Sequence, residues 1–234
     1  MARAQVGASV AADGAMEAGA GGRLSDLAYE RILEQLFDRR LPAGAFLSQS
    51  ELVKRLGIPV APLRDALRVL EAEGILTIHP RSGIQFVKPG LELTKSTYQY
   101  RSILERAAVR VFAETAPDEE LDMIAERHRA TVEAIEKRGL DAALIADIEE
   151  LEIVLHGGVI GALNNPLINS SYRRMHNYLK LVRLDRRLTV PLALRSLREH
   201  AEIIAACRTR SPDKAEAALM AHFNAALQRH MGMY

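Results

Sequence analysis

The spacing of apolar positions switches from helical to strand-like and back once along this chain, and that switch divides it. From Leu24 to Arg39, the residues Tyr29, Ile32, Leu33, Leu36 and Phe37 recur at helical spacing, which predicts one amphipathic helix. Leu41-Pro42-Ala43-Gly44 then reads as a turn, because Pro fixes φ and Gly tolerates positive φ. Ser48-Gln49-Ser50-Glu51 matches a capping box, so a second helix is expected up to Leu56, with Gly57 as its stop. A third runs from about Ala61 to Glu73 and stops at Gly74. On it Leu63, Ala66, Leu67 and Leu70 share one face, and Arg64, Arg68 and Glu71 another. The period then shortens. Ile75–His79 and Ile84–Val87 are β-prone runs joined by Pro80-Arg81-Ser82-Gly83, the pattern of a hairpin.

After Lys88-Pro89-Gly90 the helical period returns and no strand pattern follows. Helices are predicted over 94–115, 118–138, 141–162, 167–188, 192–209 and 212–232. The breaks between them fall at Ala116-Pro117, Gly139, Asn164-Asn165-Pro166, Pro191 and Ser211-Pro212. Ser211 suits an N-cap, with Pro212 in the first turn, where its missing donor costs nothing. The fold class expected is mainly α. A winged helix-turn-helix (three helices plus a β-hairpin) spans 23–88, a linker 89–93, and an antiparallel helical bundle 94–234. Residues 1–22 are rich in Ala and Gly and interrupted by Asp13 and Glu17. They read as a disordered tail, lacking the continuous apolar stretch of a secretory leader.

Composition narrows the picture modestly. No apolar run is long enough to cross a bilayer. A single cysteine, Cys207, excludes an internal disulfide and fits a reducing, cytoplasmic setting; its apolar helical surroundings suggest a buried structural thiol. A net charge of +1 gives no global nucleic-acid signature. Lys and Arg outnumber Asp and Glu by only 10 to 8 in residues 23–90 and are matched 20 to 20 in 91–234. Any DNA affinity must therefore come from local placement and from pairing two copies.

The third helix has the division of faces that a DNA-reading helix needs, one side packed and the other carrying long donors. Arginine suits the task because its fork is bidentate to guanine and to phosphate. In the helical remainder, Glu152 and His156 are four apart and share a face, with His200 and His222 on later helices. Imidazoles plus one carboxylate suit a divalent ion, Zn²⁺ or Ni²⁺, with room for water or a ligand oxygen. Asp147 is an alternative carboxylate. His79, His128, His176 and His230 read as surface or packing residues.

These residues carry two resemblances. Tyr29 through Val87 resembles the winged helix-turn-helix of the GntR superfamily of bacterial regulators. The matching pieces are Leu41-Pro42-Ala43-Gly44, Leu47-Ser48-Gln49-Ser50-Glu51-Leu52, Gly57-Ile58, Pro62-Leu63-Arg64-Asp65-Ala66-Leu67, Leu70-Glu71-Ala72-Glu73-Gly74-Ile75-Leu76 and Gly83. The resemblance implies DNA contacts from Ser48, Ser50, Pro62, Arg64, Arg68, Arg81 and Gly83, with Arg64 foremost. Where that family usually has Ser-Arg, this chain has Pro59-Val60, and Ser50 stands where Arg is common, which implies an altered operator.

Residues 94–230 resemble the all-helical ligand-binding domain of the FadR subfamily. The carriers are Arg101-Ser102-Ile103-Leu104-Glu105, Glu152-Ile153-Val154-Leu155-His156, Asn165-Pro166-Leu167, Glu199-His200-Ala201-Glu202-Ile203-Ile204 and Ala218 through His222. Metal-binding members hold an ion with one Asp and three His; His156, His200 and His222 match the histidines, and Glu152 stands in the Asp place. Arg101 matches an arginine facing a cavity for small organic acids. Glu105 would be its resting partner, and a purely structural Arg101–Glu105 pair is the other reading.

The resemblance as a whole implies a homodimeric, cytoplasmic, non-enzymatic regulator, read as a repressor, that binds operator DNA and a small organic acid. The rivals are a metalloenzyme built on Glu152 and the three histidines, and a DNA-architectural protein without an effector.

Overall fold

A computed structural model describes residues 23–184 and 187–232. The chain forms two compact units that divide at Pro89–Gly90. The first holds α1 (23–37), β1 (Phe46–Leu47), α2 (Gln49–Leu56), α3 (Val60–Ala72), β2 (Leu76–His79) and β3 (Gly83–Phe86). The expected tail, 1–22, lies outside the described residues.

Local chemistry accounts for these elements. The Ser48 hydroxyl accepts from the Glu51 amide at 3.2 Å while Glu51 Oε2 accepts from the Ser48 amide at 2.7 Å, a complete capping box. Gly57 ends α2 in the left-handed region at φ 66°. Ile32, Leu36, Leu52, Leu63, Leu67, Leu70, Ile84 and Phe86 are buried together as the apolar faces of this unit. The hairpin is one strand richer than the sequence pattern suggested. β1 pairs antiparallel with β3, giving the order β1-β3-β2. A glycine is required at position 83: φ is 147°, and an added Cβ would sit 2.8 Å from Leu47 O and from the Phe46 ring.

The second unit holds α4 (Leu91–Thr115), α5 (Asp118–Arg138), α6 (Ala142–Gly161), α7 (Pro166–Arg183), α8 (Val190–Arg208) and α9 (Pro212–His230). Asp141, Asn165 and Ser211 cap α6, α7 and α9 through their side chains. Three expectations are corrected. The linker over 89–93 ends earlier, because Leu91 starts α4, Leu93 packs on the bundle core and Thr94 Oγ1 donates to Gly90 O. Pro191 is no break: it lies in the first turn of α8, where its missing N–H is not needed. α7 also ends at Arg183 rather than 188.

α4 is the central helix, packed on α6, α7, α8 and α9, while α5 packs on α6 and α8. The core includes Tyr98, Phe112, Leu155, Val159, Leu179, Ile203, Phe223 and the buried thiol Cys207. Into this apolar interior the bundle also places Arg101, Glu105, His128, Glu152, His156, His200, His222 and Arg229. Buried polar groups at this density need partners, since an unpaired buried charge is costly.

Candidate metal centre

Three helices supply the centre: α6 brings His156, α8 His200 and α9 His222. One ring nitrogen from each lies within 4.8 Å of the others, and all three side chains are buried. The opposite nitrogens are held from outside. His156 Nδ1 donates to Glu105 Oε2 at 2.6 Å, and His222 Nδ1 donates to Glu199 Oε2 at 2.9 Å. A carboxylate at these distances accepts, so Nδ1 carries the proton in both rings and Nε2 offers its lone pair. The two carboxylates are themselves anchored. Glu105 Oε1 accepts from Arg101 Nε at 2.6 Å, and Glu199 accepts both arms of Arg229 at 2.6 and 2.7 Å.

These residues fit a divalent ion. Among the described residues, His222 Nε2 is buried without a hydrogen-bond partner. His156 Nε2 and His200 Nε2 face each other at 3.4 Å, close to the roughly 3.4 Å between two donors at about 2.1 Å from a tetrahedral ion. Burial also favours the neutral form of His222 and His200, as ligation demands. It pushes the His222 imidazole down to about 4 despite the Glu199 bond, and His200 well below the usual histidine range, helped by neighbouring His222.

Glu152 stands beside the three rings. Its Oε1 lies 2.8 Å from Arg101 Nη2 and 3.0 Å from Arg183 Nη2, and 3.7 Å from His156 Nε2. Its Oε2 lies 3.7 Å from His200 Nε2. Burial opposes ionisation, but the Arg183 and Arg101 guanidiniums outweigh it and hold the carboxyl well below the usual range. Asp147, the alternative carboxylate, is exposed on α6. Arg101 is fully buried between Glu105 and Glu152, with its guanidinium 4.6 Å from the centroid of the Phe223 ring. Its Nη1 has no hydrogen-bond partner among the described residues.

Sequence reasoning missed the outer partners of the histidines. The sequence pairs Glu105 with Arg101 alone, marks no role for Glu199 or Arg229, and reads His128 as a surface or packing residue. Glu105 lies 51 residues from His156, and Glu199 serves His222 rather than its neighbour His200. No local spacing announces either relation.

On the first unit, Ser50, Arg64, Arg68 and Arg81 are exposed. Val60 is exposed at 54% at the start of α3, one turn before Arg64. Three other expected contact positions also have structural roles. Pro62 is buried, Ser48 uses its hydroxyl in the capping box, and Gly83 is set by its close approach to β1. Glu71, read as outward-facing, accepts from the Ile78 amide at 2.7 Å and ties α3 to the wing.

Residues 24–86 match the family described as bacterial regulatory proteins, gntR family, and residues 96–225 match the FCD domain. The chain therefore belongs to the gntR family of transcriptional regulators that carry an FCD domain, and it is not an enzyme. The metalloenzyme alternative is set aside on that ground.

Among curated proteins the chain is similar to the uncharacterized HTH-type transcriptional regulator YdhC of Bacillus subtilis. The two are 24% identical over 196 residues, spanning 84% of this chain and 86% of that one. It is also similar to the Nta operon transcriptional regulator of Aminobacter aminovorans, at 26% over 193 residues, 80% and 83% of the two chains. Two solved structures share the fold. E. coli McbR/YncC has a TM-score of 0.72 at 17% identity, covering 90% of this chain and 98% of its own. A putative GntR regulator from Rhodococcus sp. RHA1 has 0.71 at 19%, covering 91% and 99%. Among the described residues no helix is long and apolar enough to cross a membrane.

Proposed function

We propose that this regulator is a ligand-responsive repressor acting as a cytoplasmic homodimer. Its operator affinity would be set by a small organic acid bound beside Zn²⁺ or Ni²⁺ on His156, His200 and His222, with Glu152 Oε2 completing the set. The observation that carries this reading is the meeting of three histidine ring nitrogens with a buried, partly unsatisfied arginine in one place. Charge balance gives the ligand its sign. Arg101 and Arg183 are matched by Glu105 and Glu152, and Arg229 is matched by Glu199. A divalent ion therefore adds positive charge that no buried side chain among the described residues offsets, and a carboxylate ligand relieves it. The spare Nη1 donor of Arg101 suits the second oxygen of such a ligand.

At the DNA end, Arg64 and Arg68 on α3 and Arg81 on the wing are the proposed donors, with Ser50 at the rim. A homodimer matches the twofold symmetry of a palindromic operator. The acid acts on DNA binding only if it prefers one arrangement of the heads, so the coupling is reciprocal. Elemental analysis of chelator-free protein tests the metal: about one divalent ion per chain is expected, since such donor sets favour them, and His200→Ala should lose it. Wild type that carries no ion and takes up neither Zn²⁺ nor Ni²⁺ contradicts the reading.

A further inference from the structure

α5 supplies no metal-ligating candidate, yet its one buried histidine touches the centre. His128 is 2% exposed. Its Nδ1 lies 2.7 Å from the Ile124 carbonyl, and its Nε2 lies 3.2 Å from His200 Nδ1. The carbonyl only accepts, so His128 Nδ1 carries a proton. A doubly protonated imidazolium here would be a buried cation with no carboxylate bonded to it among the described residues, which is costly. His128 Nε2 is then a bare acceptor, and the proton between the two rings belongs to His200 Nδ1. That leaves His200 Nε2 with its lone pair turned toward His156 Nε2 and the centre.

We propose that His128 is a positioning residue for the metal centre: it fixes the tautomer and ring orientation of His200 and so sets metal affinity. This rests on the three-histidine reading above. It makes the centre unequal. His156 and His222 are backed by anionic Glu105 and Glu199, whereas His200 is backed by a neutral ring tied to the main chain of α5. A carboxylate partner strengthens the donor it holds, so His200 is the weakest donor of the three. Without His128, His200 Nδ1–H has no acceptor at that position. The ring is then free to place its proton on Nε2, where it blocks the metal.

The test uses the full-length protein with His128→Leu, which removes the acceptor, and His128→Gln, whose side-chain oxygen reaches about as far as Nε2. Zn²⁺ affinity, measured by competition with a chromophoric chelator, should fall about 10–100-fold in the Leu variant and recover largely in the Gln variant. Long-range ¹H–¹⁵N spectra of histidine-labelled, metal-free protein provide a readout that packing alone does not move. Wild type and His128→Gln should show His200 as the Nδ1–H tautomer, and His128→Leu should show the Nε2–H form. Equal affinity in wild type and His128→Leu overturns the inference. So does a wild-type spectrum with His200 protonated at Nε2, even if the Leu variant does not fold. If wild type binds no Zn²⁺, the metal reading fails by itself, while the tautomer spectrum still decides whether His128 holds His200.

Discussion

Replacing Arg101 with Met removes the cation at the middle of the buried network while keeping its apolar stem against Phe223. In the native protein Arg101 pairs with Glu105 at 2.6 Å and with Glu152 at 2.8 Å, and both Arg101 and Glu105 side chains are 0% exposed. Solvent therefore screens neither charge. In Arg101→Met, Glu152 keeps Arg183 at 3.0 Å, but Glu105 keeps only the His156 Nδ1–H. Removing one partner of a buried ion pair costs about 3–5 kcal/mol. At roughly 2–4 °C per kcal/mol for a domain of this size, the melting temperature should drop by about 10 °C. Scanning calorimetry of chelator-treated, full-length protein reads this directly. The deficit should shrink when Zn²⁺ is added, because the ion replaces positive charge next to Glu152 and His156. Arg101→Lys should fall between, since one ammonium cannot reach both carboxylates with the geometry of a guanidinium. A drop under about 3 °C in metal-free Arg101→Met would mean that Glu105 and Glu152 do not depend on the Arg101 charge.

Acid should weaken the metal-free protein in a defined window. Burial holds His176 and His222 at about 4 in the folded state, against about 6.5 unfolded, so the unfolded chain takes up protons first. Stability present above pH ~6.5 should be lost as pH falls toward about 4, and urea titrations that stay flat across that window would contradict it. Arg64→Ala should weaken operator binding by about 1–3 kcal/mol if it reads a base; unchanged fluorescence anisotropy in a folded variant removes it from the interface. Arginine at positions 50 and 60 together should steepen the salt dependence of binding, by about 0.9 in log–log slope for each phosphate gained; an unchanged slope places both sites off the DNA. Gly83→Ala should destabilise the wing and weaken operator binding while leaving metal uptake intact, because its Cβ meets Leu47 O at 2.8 Å; full operator affinity would refute that.

The parts of this protein that were legible in its sequence are those written in short-range pattern. The Ser48–Glu51 box, the Gly57 stop and the Ser211-Pro212 start need only neighbouring residues, and each forms as the pattern implies. The helical periods of the bundle were readable for the same reason. β1 was not, because a two-residue strand holds no period and exists only through its pairing with β3. Pro191 misled because proline marks a helix start as readily as an end. In the centre, Glu152 and His156 were visible as an i, i+4 pair, and His200 and His222 as histidines on later helices that resemblance joined to it. The layer that orients them was not. Glu105, His128, Glu199 and Arg229 acquire their roles from helix packing, which joins residues up to 72 positions apart in chain order.

The most direct test of the central claim is operator binding by metal-loaded and metal-stripped protein, each titrated with di- and tricarboxylates, aromatic acids and their neutral amides. Some acids, and not the matching amides, should change operator affinity in the metal-loaded protein. The effect should fall sharply after chelation and in Arg101→Ala. An operator affinity that responds equally to acid and amide, or equally with and without metal, would contradict it.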